Sequence, residues 1–392
     1  MKILVIHCAY LYKGGEDFVV QQEIDLLKQN AHDVRLLLFT NEGNQLLKLL
    51  QLPFNIISYK KTRQEIKAFQ PEVIHIHNLH FAASPSILYA CKHENIPVVM
   101  TMHNYRLLCP SATLYMNGNL FLNYLKENFP ITAIKKGVYK NSILITLWVA
   151  LSRELHKRLK TYHIPVRMIC LTESAKEIFK LSKLKLNRQR LVVKPNFTEI
   201  PVQEKLPRGD HFLYVGRLTE EKGVQLLLDT FALSNLTIKI AGDGPLREIV
   251  EKYATKYSNI HYLGHLDKQQ VNAAIQSATA LVFPSKWYEG MPLTIIESFA
   301  GKLPVIASNI GAMLSMIEHD YNGLQFEAGN NLALKKEIYK WAHLPEHEKE
   351  VFRINAKNTF ERLYTPEKNL QYLVSIYRSA CEKANVPVLS FV

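Results

Sequence analysis

YEGMPLTIIESFAGKLPVIAS, residues 288–308, joins a helix to a buried strand. Pro292 suits the first turn of that helix and Gly301 its C-terminal end. Glu289 then lies in the loop before the helix and Glu297 inside it. Helical side chains tilt toward the N-terminus, so Glu297 leans toward the mouth that Glu289 lines, with free backbone N–H groups between them. Two carboxylates flanking an anion site suit a ligand with hydroxyl-rich groups on either side of a diphosphate, as in a nucleotide sugar. Acids at a helix start also serve the dipole and solvent, and other parts of the chain must decide between the two readings.

GRLTEEKG, residues 216–223, bears on that choice. It follows the apolar strand FLYV and precedes the apolar stretch VQLLLDTF, which places Arg217 and Lys222 at the C-terminal edge of a parallel strand, where α/β sheets hold their ligands. Arg supplies a planar fork and Lys a point charge, and both can neutralise a departing diphosphate. Alone, loop cations of this kind are usually just solvated.

Outward from these motifs, short apolar runs alternate with helix-length amphipathic stretches, the pattern of parallel sheets covered by helices. The first half reads as strand Lys2–His7, a helix from about Glu16 to Asn30, strands Val34–Phe39 and Val73–His77, a helix near Pro85–Glu94 and strand Pro97–Thr101. The second half restarts with strands Phe212–Val215, Thr237–Ala241, Ile260–Leu263, Ala280–Phe283 and Pro304–Ala307. A chain of 392 residues is too long for one ordinary core. The expected division is an N-terminal Rossmann-like domain over 1–194, a proline-punctuated linker over 195–208, a second Rossmann-like domain over 209–365 and a final helical stretch over 366–392.

Hydrophobic residues at 47% and charged residues at 21% exclude a disordered or fibrous chain. The five cysteines form no CxxC pair or zinc spacing, which fits a reducing cytoplasm. The N-terminus enters an apolar strand at once, without the layout of an export signal. The longest apolar run, Ile143–Leu151, falls short of a membrane span. The net charge of +13 is concentrated: residues 126–194 hold 16 Lys or Arg against 4 Glu, which leaves +1 for the rest.

In the N-terminal half, the loop Lys13-Gly14-Gly15-Glu16 follows the first strand, where a backbone without Cβ atoms can approach a ligand, or form a plain βα turn. His103 follows the strand PVVMT, at another C-terminal edge. His75 and His77 alternate on one strand, the first read as core and the second as near a cleft. Gly242-Asp-Gly-Pro has Arg247 where a third glycine of GxGxxG would fall, and no P-loop occurs, which argues against a dinucleotide oxidoreductase or P-loop NTPase. No HExxH or clustered His/Cys site stands out, and no motif requires a catalytic metal.

Together these motifs resemble the retaining GT-B glycosyltransferases of family 4, over nearly the whole chain. The most specific match is E-x7-E, met by Glu289 and Glu297; GRLTEEKG, AGDGP at 241–245, KGGE and Thr101-Met-His-Asn support it. The resemblance implies two Rossmann-like domains facing each other across a cleft, with the last helix returning to the first. It implies that Glu289 binds the transferred sugar and Glu297 the ribose, with Gly290, Met291, Pro292 and Leu293 along the donor. Arg217 and Lys222 would take the diphosphate, His103 would face the sugar, and Gly14 and Gly15 would approach the diphosphate or acceptor. The base would lie near Gly242 and Leu263. No metal or other cofactor is implied, the nucleotide sugar being a substrate. HNYRLLCPSATLYMNG resembles a subgroup from bacterial surface-polysaccharide gene clusters, although the Cys pair some relatives carry afterwards is absent here.

The expected activity is sugar transfer to a saccharide or lipid-linked saccharide in capsule, O-antigen or exopolysaccharide synthesis. A nucleotide-sugar 2-epimerase, a phosphorylase of GT-B fold and a non-catalytic binding subunit are the alternatives. The basic segment, where KKGVYK and RELHKRLK bracket ILITLWVAL, reads as a peripheral contact with an anionic membrane at the cytoplasmic face, or as a buried helix with solvated basic ends. Nucleic acid fits less well, since no recognition motif accompanies the charge.

Overall fold

The computed structural model describes residues 1–9, 14–199 and 207–384. Lys13, half of the expected linker (200–206) and residues 385–392 lie outside them. The chain divides into two compact units, the first of Met1–Ala112, Leu122–Pro195 and Asn369 onward, the second of Thr113–Phe121 and Asn196–Lys368.

In the first unit, β1 (Lys2–Ala9) leads through α1 (Gly15–Gln29) to β2 (Asp33–Thr40) and then α2 (Gln45–Leu50). The strands β3 (Val73–Ile76) and β4 (Val98–Met102) follow. Strands β5 (Tyr115–Met116) and β6 (Asn119–Leu120) form a small hairpin. After α3 (Ile143–Arg158), β7 (Arg167–Cys170) and β8 (Leu191–Val193) complete a parallel sheet of order β2-β1-β3-β4-β7-β8. Its central strands are continuous apolar runs because both faces are covered.

The second sheet runs β9 (Phe212–Val215), β10 (Ile238–Ala241), β11 (Ile260–Gly264), β12 (Ala280–Phe283), β13 (Val305–Ser308) and β14 (Gly323–Phe326), with α4 (Val224–Ala232) after β9 and α5 (Leu293–Ala300) after β12. It is parallel, in the order β11-β10-β9-β12-β13-β14. Trp341 anchors its core, fully buried, with Nε1 donating to Thr279 Oγ1 at 3.0 Å. The last helix, α6 (Pro366–Ala384), packs on the first sheet: Leu373, Ile376, Tyr377 and Ala380 share one core with Val20, Ile24 and Leu27 of α1.

The expected strands are all present, within a residue or two at their ends. Five are additional: the hairpin strands β5 and β6, and three in the large sheets. β7 (RMIC) and β14 (GLQF) have their apolar runs interrupted by Arg167 and Gln325, and β8 (LVV) has three residues. The division also differs from the expected one at 113–121, assigned by sequence to the first domain. That hairpin belongs with the second unit, where the Tyr115 ring meets Trp287 edge to face at 6.5 Å.

Candidate functional site

The order of the second sheet explains why its motifs converge. From β9 the chain runs outward to β10 and β11, then returns to place β12 on the other side of β9. The loops after β9 and β12 therefore start side by side, at the point where α/β sheets bind ligands. GRLTEEKG leaves β9 and the loop to Glu289 leaves β12, and Glu221 O accepts from Lys286 N at 2.8 Å, stitching the two together.

Lys222 and Glu289, 67 residues apart in sequence, form an ion pair there, Nζ to Oε1 at 2.7 Å. Ser285 Oγ donates to the same oxygen at 2.7 Å. The Lys222 ammonium also lies 5.6 Å from the Phe283 ring centroid and 5.7 Å from that of Trp287, a cation–π arrangement that restricts the side chain. Gly223 makes this turn possible. It adopts φ +75°, and a Cβ there would stand 2.0 Å from Pro284 O.

Glu289 is buried. Just beyond it, α5 begins at Pro292 without a side-chain cap, so its first N–H groups remain available to an anion. Glu297 lies within α5, half-buried, its carboxylate without a hydrogen bond among the described residues. Burial raises its carboxyl above the ordinary range, with only Lys268 opposing. Met291 Sδ faces Asn196 N at 3.1 Å. Gly290, Pro292 and Leu293 form the entry to the helix, as expected.

Arg217 is not drawn into the ion pair. Its side chain is 66% exposed, with Nη2 3.9 Å from Glu221 Oε1, which leaves the guanidinium free to meet an arriving anion. It borders a pocket of about 230 Å³ with Gly216, Gly242, Asp243, His265 and Leu266. His265 and Leu266 line this pocket, and Leu263 on β11 is exposed. Gly242 borders the pocket but is small for another reason: at φ +144° a Cβ would fall 1.9 Å from Gly216 O, so the two loops touch backbone to backbone.

In the first unit, the loop after β1 leads into α1 at Gly14 and Gly15. Among the described residues, a Cβ on either would meet nothing within 4 Å. Asp17 holds the turn: Oδ2 accepts from Gly14 N at 2.8 Å and Oδ1 bonds His7 Nε2 at 2.8 Å. His103 follows β4 and His77 follows β3, which pair in the sheet. His103 Nε2 lies 2.9 Å from His77 Nδ1. Both line a cavity of about 90 Å³ with His80 and Arg106, whose Nη1 lies 2.8 Å from His80 Nε2. Burial pushes His103 down to about 3, so its ring is neutral.

The profile of the glycosyl transferases group 1 matches residues 196–359, and that of glycosyltransferase family 4 matches residues 14–199. Together the two glycosyltransferase profiles span residues 14–359. D-rhamnosyltransferase WbpZ of Pseudomonas aeruginosa is 33% identical over 171 residues, 42% of this chain and 43% of that protein. An uncharacterized glycosyltransferase of Methanocaldococcus jannaschii is 30% identical over 167 residues, 42% of this chain and 47% of its own length. These matches span less than half of either relative. Anabaena HepE, solved with UDP, aligns with 97% of this chain and 100% of its own at a TM-score of 0.69 and 16% identity. The fold is therefore that of the GT-B glycosyltransferases.

Within this family frame, several residues of the site carried no sequence motif. Ser285 and Asp17 are visible only once the loops are folded. Glu23, His75 and His77 form a buried group whose ligand atoms lie within 4.8 Å of one another, a clustering that the sequence reading did not find. The signal was present for Glu23. It stands at the core-facing spacing of α1, among Val19, Val20, Ile24 and Leu27, where a carboxylate needs a partner. Lys194 is that partner.

Proposed function

We propose that the protein is a retaining, metal-independent glycosyltransferase that moves a sugar from a nucleoside-diphosphate sugar to a saccharide or lipid-linked saccharide in surface-polysaccharide synthesis. The observation that carries this reading is the Lys222–Glu289 pair beside the uncapped start of α5. The pair holds a cation where a leaving diphosphate needs one, and it holds a buried carboxylate where a sugar hydroxyl can donate. Arg217 adds a second, exposed cation at the rim, and Glu297 accepts from the ribose. His103 receives a sugar hydroxyl. Positive charge from these side chains and the helix N-terminus takes the place that Mg²⁺ fills in other glycosyltransferases.

No general base is needed in this scheme. The acceptor hydroxyl attacks the anomeric carbon on the face from which the diphosphate departs, and the leaving phosphate oxygen takes its proton. The UDP bound by HepE and the rhamnosyl transfer named for WbpZ support the donor class. A panel of UDP-, GDP- and ADP-sugars tests the reading, with NMR of the product reporting the anomeric configuration. Turnover with retention is expected; donor binding without turnover, or inversion, would overturn it.

The acceptor side carries a membrane expectation. No helix of the described residues is long and apolar enough to cross a bilayer. Leu46, Leu47 and Leu50 of α2 and Leu144, Leu151 and Leu155 of α3 are nonetheless exposed, and Trp148 Nε1 donates to Leu49 O at 2.7 Å, joining the two helices. This apolar surface lies in and beside the basic segment 126–194, where each cation near an anionic bilayer contributes about 1 kcal/mol. The protein is expected to sediment with phosphatidylserine-containing vesicles at low salt and to be released by salt. A Leu144→Glu/Leu151→Glu variant should bind at least about tenfold more weakly. No binding at low salt would remove the membrane from the reading.

A further inference from the structure

Behind His103 runs a line of buried ionisable groups that the proposed donor chemistry leaves unused. Lys194, fully buried at the end of β8, donates from Nζ to Glu23 Oε1. Glu23 Oε2 lies 3.6 Å from His77 Nε2 and has no hydrogen bond of its own. His77 Nδ1 lies 2.9 Å from His103 Nε2. The other ring nitrogen of His103, Nδ1, has no hydrogen-bond partner among the described residues, and the ring borders the cavity. His75 stands beside this line but outside it, since Tyr377 Oη at 2.8 Å and Thr101 Oγ1 at 2.7 Å take both its nitrogens.

Burial alone would push the Glu23 carboxyl up, but Lys194, with the nearby histidines, holds it below its ordinary value. Burial also holds His77 well below the usual imidazole range. Glu23 is thus a carboxylate and each imidazole carries a single proton. A carboxylate can only accept, so the His77 proton belongs on Nε2, facing Oε2. His77 Nδ1 is then an acceptor, and the bond to His103 requires His103 Nε2 to be the donor. A cation among Glu23, His75 and His77 is disfavoured for the same reasons: the Lys194 ammonium already neutralises Glu23, and His75 has no free lone pair.

We propose that Lys194, Glu23 and His77 are positioning residues that fix the tautomer of His103, protonated at Nε2 and presenting the Nδ1 lone pair as an acceptor for a substrate hydroxyl. The use of that lone pair rests on the reading of His103 as a sugar contact. The tautomer does not.

Imidazole ¹⁵N shifts of the full-length, histidine-labelled protein test this directly, with His103→Gln identifying the His103 signals. The wild-type protein is expected to show an N–H at His103 Nε2 and an unprotonated Nδ1. In Glu23→Gln, the amide oxygen stays toward Lys194 and the NH₂ group faces His77 Nε2. Both rings should therefore switch, putting the His103 proton on Nδ1, and kcat should fall about tenfold or more with the donor KM changed less. A wild-type His103 protonated on Nδ1 would overturn the proposal even if Glu23→Gln failed to fold, and so would a Glu23→Gln spectrum identical to wild type. If the tautomers behave as expected while His103→Ala turns over normally, the tautomer assignment stands and the sugar contact is lost.

Discussion

Replacing Lys222 with alanine is expected to lower kcat by roughly 10²- to 10³-fold, about 2–4 kcal/mol of barrier, the range for a preorganised charge aimed at a developing anion. The effect is predicted to be that large because Lys222 is not a loose surface cation. Glu289, two aromatic rings and the Gly223 turn hold the ammonium in place before any ligand arrives, so little reorganisation is needed when negative charge builds on the leaving diphosphate. The variant also leaves buried Glu289 with only Ser285, which would let the carboxylate drift from the sugar. Steady-state kinetics separate this from binding. Lys222→Ala should act mainly on kcat, whereas Glu297→Ala, which removes the proposed ribose contact, should raise the donor KM. Unchanged kinetics in both would sink the site assignment.

The second large effect concerns stability. Lys194→Met removes the partner of Glu23, and both side chains are shut from solvent. Breaking a buried pair by deleting one member costs about 3–5 kcal/mol, because the remaining charge is stranded. For a unit of this size that corresponds to a fall of roughly 10 °C in Tm. Calorimetry checks it, and the double variant Glu23→Leu/Lys194→Met controls for lost packing: with both charges gone, most of the stability should return. A single variant as stable as wild type, or a double variant no better than the single, would show that the pair is not what holds α1 to the end of β8.

Much of the fold was legible because parallel strands covered on both faces are continuous apolar runs, and the helices between them carry their own start and stop residues. Pro292 and Gly301 bound α5 where their backbone chemistry places them. β7 and β14 escaped because Arg167 and Gln325 interrupt their apolar runs, and β8 because it has three residues. The face that Leu263 takes was not legible either. Its strand is legible, but which face a strand residue takes depends on where the neighbouring loops pack, and β11 points Leu263 outward. The segment 113–121 belongs to the second unit, where the Tyr115 ring meets Trp287, a contact between residues far apart in sequence that local patterning does not display.

Local spacing by itself determined the parts of the site that lie within one turn or one helix: E-x7-E around the start of α5, the cations of GRLTEEKG, and the glycines that only a tight βα loop requires. Such features are set by residues close in the chain, so their chemistry is readable in order. Only the tertiary structure decided that Lys222 meets Glu289 across 67 residues, that Asp17 holds the glycine loop, and that Lys194 reaches Glu23 to set a charge behind His77 and His103. Those pairings depend on sheet order, which brings the loops after β9 and β12 together, and on burial, which makes an unpaired charge too costly to leave alone.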